Sequence, residues 1–288
     1  MNTAHPLPRC SASRLAFMAI LFTASAAQAQ STGAPSGPPA LPRWEAGALG
    51  ILVTQQAYPG ANQHVQRSLL LPYVVYRGEV LRADRGNAGL RALQSGDLEL
   101  DIGASAAIGS SSQRIETRQG MPTLGTLVEL GPRLRWTLHR APDGSRWRLD
   151  LPLRSVHDLS DGLQHRGVSF EPELKWQGLT RSGFFINTGA SAVLGDRQLA
   201  QTYYGVSPAQ ATVSRPAYSA QAGLITWRLA GSVAWRLGPN WNAFTYARMD
   251  SVHGAANEAS PLVRQSTGLS AGVGVAYVWR RSALPGAD

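Results

Sequence analysis

LVELGPRLRWTLHRAPDGSRWRLDLPLRSVHDLSDGLQHRGVSFEPELKW, residues 127–176, decides the fold. Its apolar residues fall on every second position in three successive segments. Leu130, Pro132, Leu134, Trp136 and Leu138 alternate with Glu129, Arg133, Arg135, Thr137 and His139. Trp147, Leu149, Leu151 and Leu153 alternate with Arg148, Asp150, Pro152 and Arg154. Val168, Phe170, Pro172, Leu174 and Trp176 alternate with Ser169, Glu171, Glu173 and Lys175. A period of two is the strand period, because successive side chains point to opposite faces of the pleat. Each segment has aromatics near its ends and full charges on its second face. A transmembrane β-barrel strand needs this: roughly 9–11 tilted residues with lipid on one side and a polar lumen on the other. The sheet of a soluble sandwich alternates too, so the rest of the chain must choose between them.

The start of the chain chooses. Arg9 and Arg14 make a positive leader, residues 15–24 (LAFMAILFTA) an apolar run, and Ala27-Gln28-Ala29 a cleavage site. Together these predict a secretory signal over residues 1–29. Cys10 precedes the apolar run and leaves with the signal, so the mature chain has no cysteine and must hold together without disulfides. No later stretch has the 18 or more apolar residues of a helical span. Mean hydropathy is slightly negative, as alternation requires. Losing Arg9 and Arg14 lowers the basic count from 27 to 25 against 18 acids, a mature net charge of +7. Arginines scattered over alternating faces of an exported chain argue against a nucleic-acid partner. Strand ends facing lipid phosphates, or a lumen, account for them.

Residues 30–43 read as a flexible Pro/Gly/Ser linker, residues 44–280 as the barrel and residues 281–288 as a tail. Strands are expected at residues 44–54, 69–75, 80–84, 98–108, 184–194 and 241–250, besides those opened on. Further strands are expected from Tyr218 and Leu229 onward, with a weak segment at residues 90–93. Residues 55–67, 110–123 and 253–264 read as loops, and residues 195–215 as the longest structureless stretch. Twelve strands are expected (range 10–14), since bacterial single-chain barrels have an even number. Val275, Tyr277 and Trp279 in the last strand resemble the signal read by the barrel insertion machinery, although residues 280–288 follow it.

Several segments together resemble the MipA/OmpV family of outer-membrane proteins. They are Leu71-Pro72-Tyr73 with Tyr76-Arg77-Gly78, then Gly131-Pro132-Arg133-Leu134, Thr202-Tyr203-Tyr204-Gly205-Val206 and Arg215-Pro216-Ala217-Tyr218. Ala222-Gly223-Leu224, Ser260-Pro261-Leu262-Val263 and Tyr277-Val278-Trp279 complete the series. The resemblance covers the mature chain in order and implies an outer-membrane barrel. Its best-known role, a scaffold between a murein lytic transglycosylase and a murein synthase, is then the expected one. Relatives described as porin-like or adhesive supply the alternatives, and the resemblance carries no catalytic residues and no cofactor.

The charged face defines the candidate site. Glu129, Arg133, Arg135, Arg148, Asp150, Arg154, Glu171, Glu173, Lys175, Arg228 and Arg236, with Arg248 beside them, are expected to face the lumen. There they either pair into a plug or line a channel. Asp97, Glu99 and Asp101 are expected to pair with neighbouring arginines. Trp44, Trp136, Trp147, Trp176, Trp235, Trp241 and Trp279 read as an interfacial girdle, with outer-membrane lipids as partner. For catalysis the candidates are His157-Asp158, His165 with Ser169, and His139. Adjacent residues of a strand face opposite sides, so His157 and Asp158 make a poor pair. Scattered histidines and the lack of cysteine give no metal site. The expectation is a binding or scaffolding protein, with an outer-membrane hydrolase the least favoured reading.

Overall fold

The computed structural model describes residues 41–78, 81–84, 87–107 and 115–286. The expected signal and most of the expected linker, residues 1–40, lie outside these. The chain runs through β1 (Trp44–Gln56), β2 (His64–Arg77), β3 (Leu81–Asp84), β4 (Asn87–Ser95) and β5 (Leu98–Ala107). Next come β6 (Leu127–Arg140), β7 (Arg146–Asp158), β8 (Gln164–Phe170), β9 (Glu173–Leu179) and β10 (Phe185–Gly195). A helix, α1 (Arg197–Tyr204), precedes β11 (Gly223–Arg236), β12 (Trp241–Ser251) and β13 (Thr267–Arg281).

Neighbouring strands pair antiparallel, and β13 pairs with β1, so the sheet closes on itself. β8 and β9 are halves of one crossing, since each pairs with both β7 and β10. The break between them falls at Glu171-Pro172, where proline has no N–H to give the ladder. The wall therefore has twelve crossings, as the alternation implied. Closure through β13 and β1 is what lets a sheet stand in lipid, and the narrowest ladder between crossings among the described residues is β2–β3, which pairs only Tyr76 with Ala83 and Arg77 with Arg82.

On β13 the two faces separate completely. Gly268, Ser270, Gly272, Gly274, Ala276 and Val278 are buried, while Leu269, Val273, Val275, Tyr277 and Trp279 are exposed. The same outward apolar face continues through Leu130, Leu134 and Leu138 of β6 and Leu153 of β7. β2 differs: Leu70 and Val74 point outward, while Val75 is buried on the inner face, so both of its faces are apolar. This strand starts at His64, earlier than its alternation suggested, and the preceding loop shrinks to residues 57–63. The strands expected separately from Tyr218 and from Leu229 are one strand, β11, which begins at Gly223.

The connections β2–β3, β4–β5, β6–β7, β9–β10 and β11–β12 lie at one end of the wall with both chain ends. The long connections β1–β2, β5–β6, β10–β11 and β12–β13 lie at the other. Bacterial barrels carry short periplasmic turns and longer external loops, which assigns the two ends. At the periplasmic end the tail is tied down. Arg43 N donates to Leu284 O at 2.8 Å, Gly286 N to Leu41 O at 2.8 Å, and Arg77 Nη1 to Pro42 O at 2.8 Å. All seven tryptophans named above sit toward this end, Trp147 opposite Trp176 and the Trp241 ring 4.7 Å from that of Tyr277. Indoles with an apolar body and one N–H suit the bilayer interface.

Candidate functional site

The inward positions of β4 to β12 carry a ladder of ion pairs in four groups. Three aspartates in it are almost inaccessible, and each is held by two bases. Asp101, on β5, takes Arg133 at 3.2 Å and Arg135 at 3.0 Å from β6. Asp150, on β7, takes Arg148 at 2.6 Å from its own strand and Lys175 at 3.2 Å from β9. Asp250, on β12, takes Arg228 at 2.8 Å from β11 and Arg248 at 2.9 Å from its own strand. The glutamates fill the gaps: Glu99 with Arg135 at 3.0 Å and Arg91 at 3.5 Å, Glu129 with Arg154 at 3.2 Å, Glu171 with Arg228 at 2.9 Å, and Glu173 with Lys175 at 2.6 Å. Arg154 also donates to Ser105 Oγ.

Buried charges persist only when paired, and guanidinium forks can serve two carboxylates at once. Ten of the eleven residues singled out from the sequence meet in this ladder; Arg236 stands exposed at the periplasmic rim with no ion pair among the described residues. Asp97 leaves the ladder for Arg140 on the surface, at 3.2 Å. Asp250 was not singled out, although its spacing from Arg248 and Tyr246 places all three on one face. The opposite wall is different. Gly272 and Gly274 of β13 lie under the rings of Tyr246 and Phe244, where any Cβ would meet the aromatic carbons.

Over the loop end lies a hydrophobic lid. Tyr58, Ile115, Met121, Leu124, Tyr204, Val206, Ile225 and Leu262 pack into one buried cluster drawn from four connections and the start of β11. Tyr58 Oη donates to Leu262 O at 2.7 Å, Tyr204 Oη to Pro59 O at 3.1 Å, and Ser260 Oγ to Tyr204 O at 2.8 Å. Two buried arginines staple the loops through carbonyls. Arg118 donates to Tyr203 O at 2.9 Å, and Arg215 to Thr117 O at 2.9 Å, Gln119 O at 3.0 Å and Gln210 O at 2.7 Å. Burial lowers Arg118 to about 10, and burial pushes the Tyr203 hydroxyl up to about 12, with Glu129 adding to it. The stretch expected to be structureless thus contains α1, started by the Asp196 side chain accepting from Leu199 N at 2.8 Å.

The catalytic candidates do not assemble as their spacing suggests. His157 does not meet Asp158, which accepts instead from Ser160 N at 3.0 Å and from Arg166 at 3.0 Å. His165 is exposed on the outer face, whereas Ser169 is buried on the inner face opposite Arg154. His139 stands exposed at the periplasmic end opposite Trp147. Among the described residues no group of three or more His, Cys, Asp or Glu could hold a metal ion.

A family model described as MltA-interacting protein MipA matches residues 47–279. The chain belongs to the MipA family. It is an outer-membrane β-barrel, with the outward apolar face just described. In this MipA-family chain the motifs that carry the resemblance divide between the two ends. Tyr204, Val206, Arg215, Ser260 and Leu262 meet in the lid, while Tyr76-Arg77 and Tyr277-Val278-Trp279 stand at the periplasmic end. Comparison with curated proteins found no match. Among solved structures the chain is similar to OmpT, an outer membrane protein of Vibrio cholerae, at 10% identity and a TM-score of 0.30. That match covers 73% of this chain, which spans 60% of the other's length.

Proposed function

We propose that this protein is a scaffold at the periplasmic face of the outer membrane, binding murein-processing enzymes rather than passing solutes. The observation that carries the reading is the commitment of the interior. Every acid of the lumen ladder is paired, and a packed lid lies over the loop end, so the interior holds the barrel together. At the periplasmic rim Arg181, Arg236 and Arg280 make no ion pair among the described residues and stand exposed to a partner. The family's printed name, MltA-interacting protein, supports a lytic transglycosylase as one partner, and the MipA/OmpV resemblance implies a murein synthase as the second.

Immobilised protein is expected to retain both enzymes in purified form, with retention weakening as salt rises, since rim charges are screened over about 8 Å at physiological ionic strength. Recovery of neither above background overturns the scaffold. The runner-up is a small-solute channel, favoured by the charged wall alone. It predicts conductance steps in planar bilayers, and the paired lumen predicts none.

A further inference from the structure

On the outer face of β7, near its loop end, Ser155 and His157 stand two residues apart and point the same way, as i and i+2 of a strand must. Ser155 Oγ lies 2.9 Å from His157 Nε2, and His157 Nδ1 lies 3.1 Å from the carbonyl oxygen of Leu163. A carbonyl only accepts, so Nδ1 carries the ring hydrogen and Nε2 keeps its lone pair. The serine hydroxyl is then the donor and the imidazole the acceptor, the arrangement in which histidine takes a proton from a nucleophilic serine. Leu163 is held in the left-handed region, φ 64°, by the β7–β8 turn, where its N donates to Asp158 O at 2.9 Å.

Depth names the substrate. A strand rises about 3.4 Å per residue and a barrel strand tilts by about 40°, so each residue climbs about 2.6 Å along the membrane normal. Ser155 and His157 follow Trp147 of the periplasmic girdle by eight and ten residues on the same strand. They therefore stand about 21 and about 26 Å above it, at the outer boundary of an apolar band about 25 Å tall. That boundary is where acyl chains join their headgroups. The surroundings agree: Leu130 and Val168, the cross-strand neighbours of Ser155, are exposed, as are Leu153 and Phe170.

We propose that Ser155 and His157 form a catalytic dyad that cleaves acyl esters of outer-leaflet lipids. This goes beyond the scaffold reading and does not rest on it, because the dyad lies on the other face and at the other end. Ser155 Oγ bonds to the ester carbonyl carbon while its proton passes to His157 Nε2. Collapse of the tetrahedral intermediate breaks the bond to the lipid alcohol, which leaves with that proton. Water, deprotonated by the same nitrogen, then cleaves the acyl-serine, releasing the fatty acid and restoring the hydroxyl. The exposed His165 ring, 5.3 Å from that of His157, is the neighbouring hydrogen-bond donor on this face for the carbonyl oxygen.

The test uses the whole barrel folded into vesicles, with folding verified by heat-modifiable gel mobility. A fluorophosphonate is expected to form one adduct, mapped by mass spectrometry to Ser155, absent in S155A and at least about 100-fold slower in H157Q. Fatty-acid release, lost in S155A, is measured from phospholipid vesicles and from vesicles containing lipopolysaccharide; the vesicle that responds identifies the source of the ester. A folded protein without the adduct, or with labelling unchanged in H157Q, overturns the dyad. Labelling without release from either vesicle overturns the lipid-ester assignment. The enzyme-retention assay reads the scaffold separately.

Discussion

Replacing Asp150 by Asn tests whether the lumen ladder holds the barrel. Asp150 is 1% exposed and stands between Arg148 at 2.6 Å and Lys175 at 3.2 Å. The substitution keeps the volume and removes the charge, leaving both bases inside with less to neutralise them. Breaking a buried pair from one side costs about 3–5 kcal/mol. Lys175 retains Glu173 at 2.6 Å, so the low end applies, about 3 kcal/mol. With a urea slope of about 2 kcal/mol per M, the unfolding midpoint of the refolded barrel falls by about 1.5 M. D97N is the control. Asp97 also faces an arginine, Arg140 at 3.2 Å, but both side chains are more than half exposed, and such pairs contribute about 0–1 kcal/mol. Equal midpoints for D150N and D97N would refute the reasoning. A triple variant replacing Asp150, Arg148 and Lys175 with apolar residues of similar volume should regain most of the loss, since removing a whole buried network can be neutral.

D196A removes the cap of α1 and should cost about 1 kcal/mol locally, seen as faster proteolysis within residues 196–222 while the strands stay protected. G272V places a side chain where the Tyr246 ring lies and should destabilise by about 1–3 kcal/mol, read as a lower urea midpoint. Tyr203 gives a pH signature. Burial raises its hydroxyl to about 12 from the 10.0 of a free tyrosine, so the folded lid keeps a proton that the unfolded chain loses. The stabilisation is complete below pH 10 and lost as pH rises from 10 to about 12. Arg118, lowered to about 10, works against it there, because the unfolded chain then binds the extra proton. Tyrosinate absorbance should therefore show a late-ionising fraction, smaller by one residue in Y203F; an unchanged amplitude would count against the burial of that ring.

Much of the wall was legible because one face of most strands is charged and the other apolar. Alternation marks the crossings and their faces, and the proline at position 172 splits one of them without changing the count. Where both faces are apolar, as around Val75 of β2, the pattern marks a strand but not its direction or its first residue. The strand expected at residues 80–84 is β3, whereas the weak segment at residues 90–93 shows too little alternation to reveal that β4 runs from Asn87 to Ser95. Faces are also not partners. Which carboxylate meets which base depends on register, and register depends on turn length and bulges. Asp250 escaped notice for that reason, although its parity with Arg248 was readable. The lid was not legible at all. Its core joins Tyr58 to Leu262 across four connections without periodicity, and α1 is a single short helix whose only local mark is Asp196.

The outer-face dyad shows how one extra residue defeats parity while leaving local spacing intact. His165 and Ser169 are four apart and should share a face of a regular strand. Instead His165 lies opposite His157, Gly167 opposite Val156 and Ser169 opposite Arg154, so Arg166 is the unmatched residue of a bulge. The bulge turns Ser169 inward and brings His165 beside His157, while Arg166 reaches Asp158 and Asp161, at 3.0 and 2.9 Å. Gly167 permits it with φ 123° and with Leu199 of α1 pressed so close that no side chain fits. Ser155 and His157 lie on the partner strand, where the chain stays regular, so their i, i+2 spacing survives as a contact. Pairs two apart on one regular strand are therefore the sequence feature that reports a shared site in a barrel wall, whereas longer spacings lose that meaning at the first bulge.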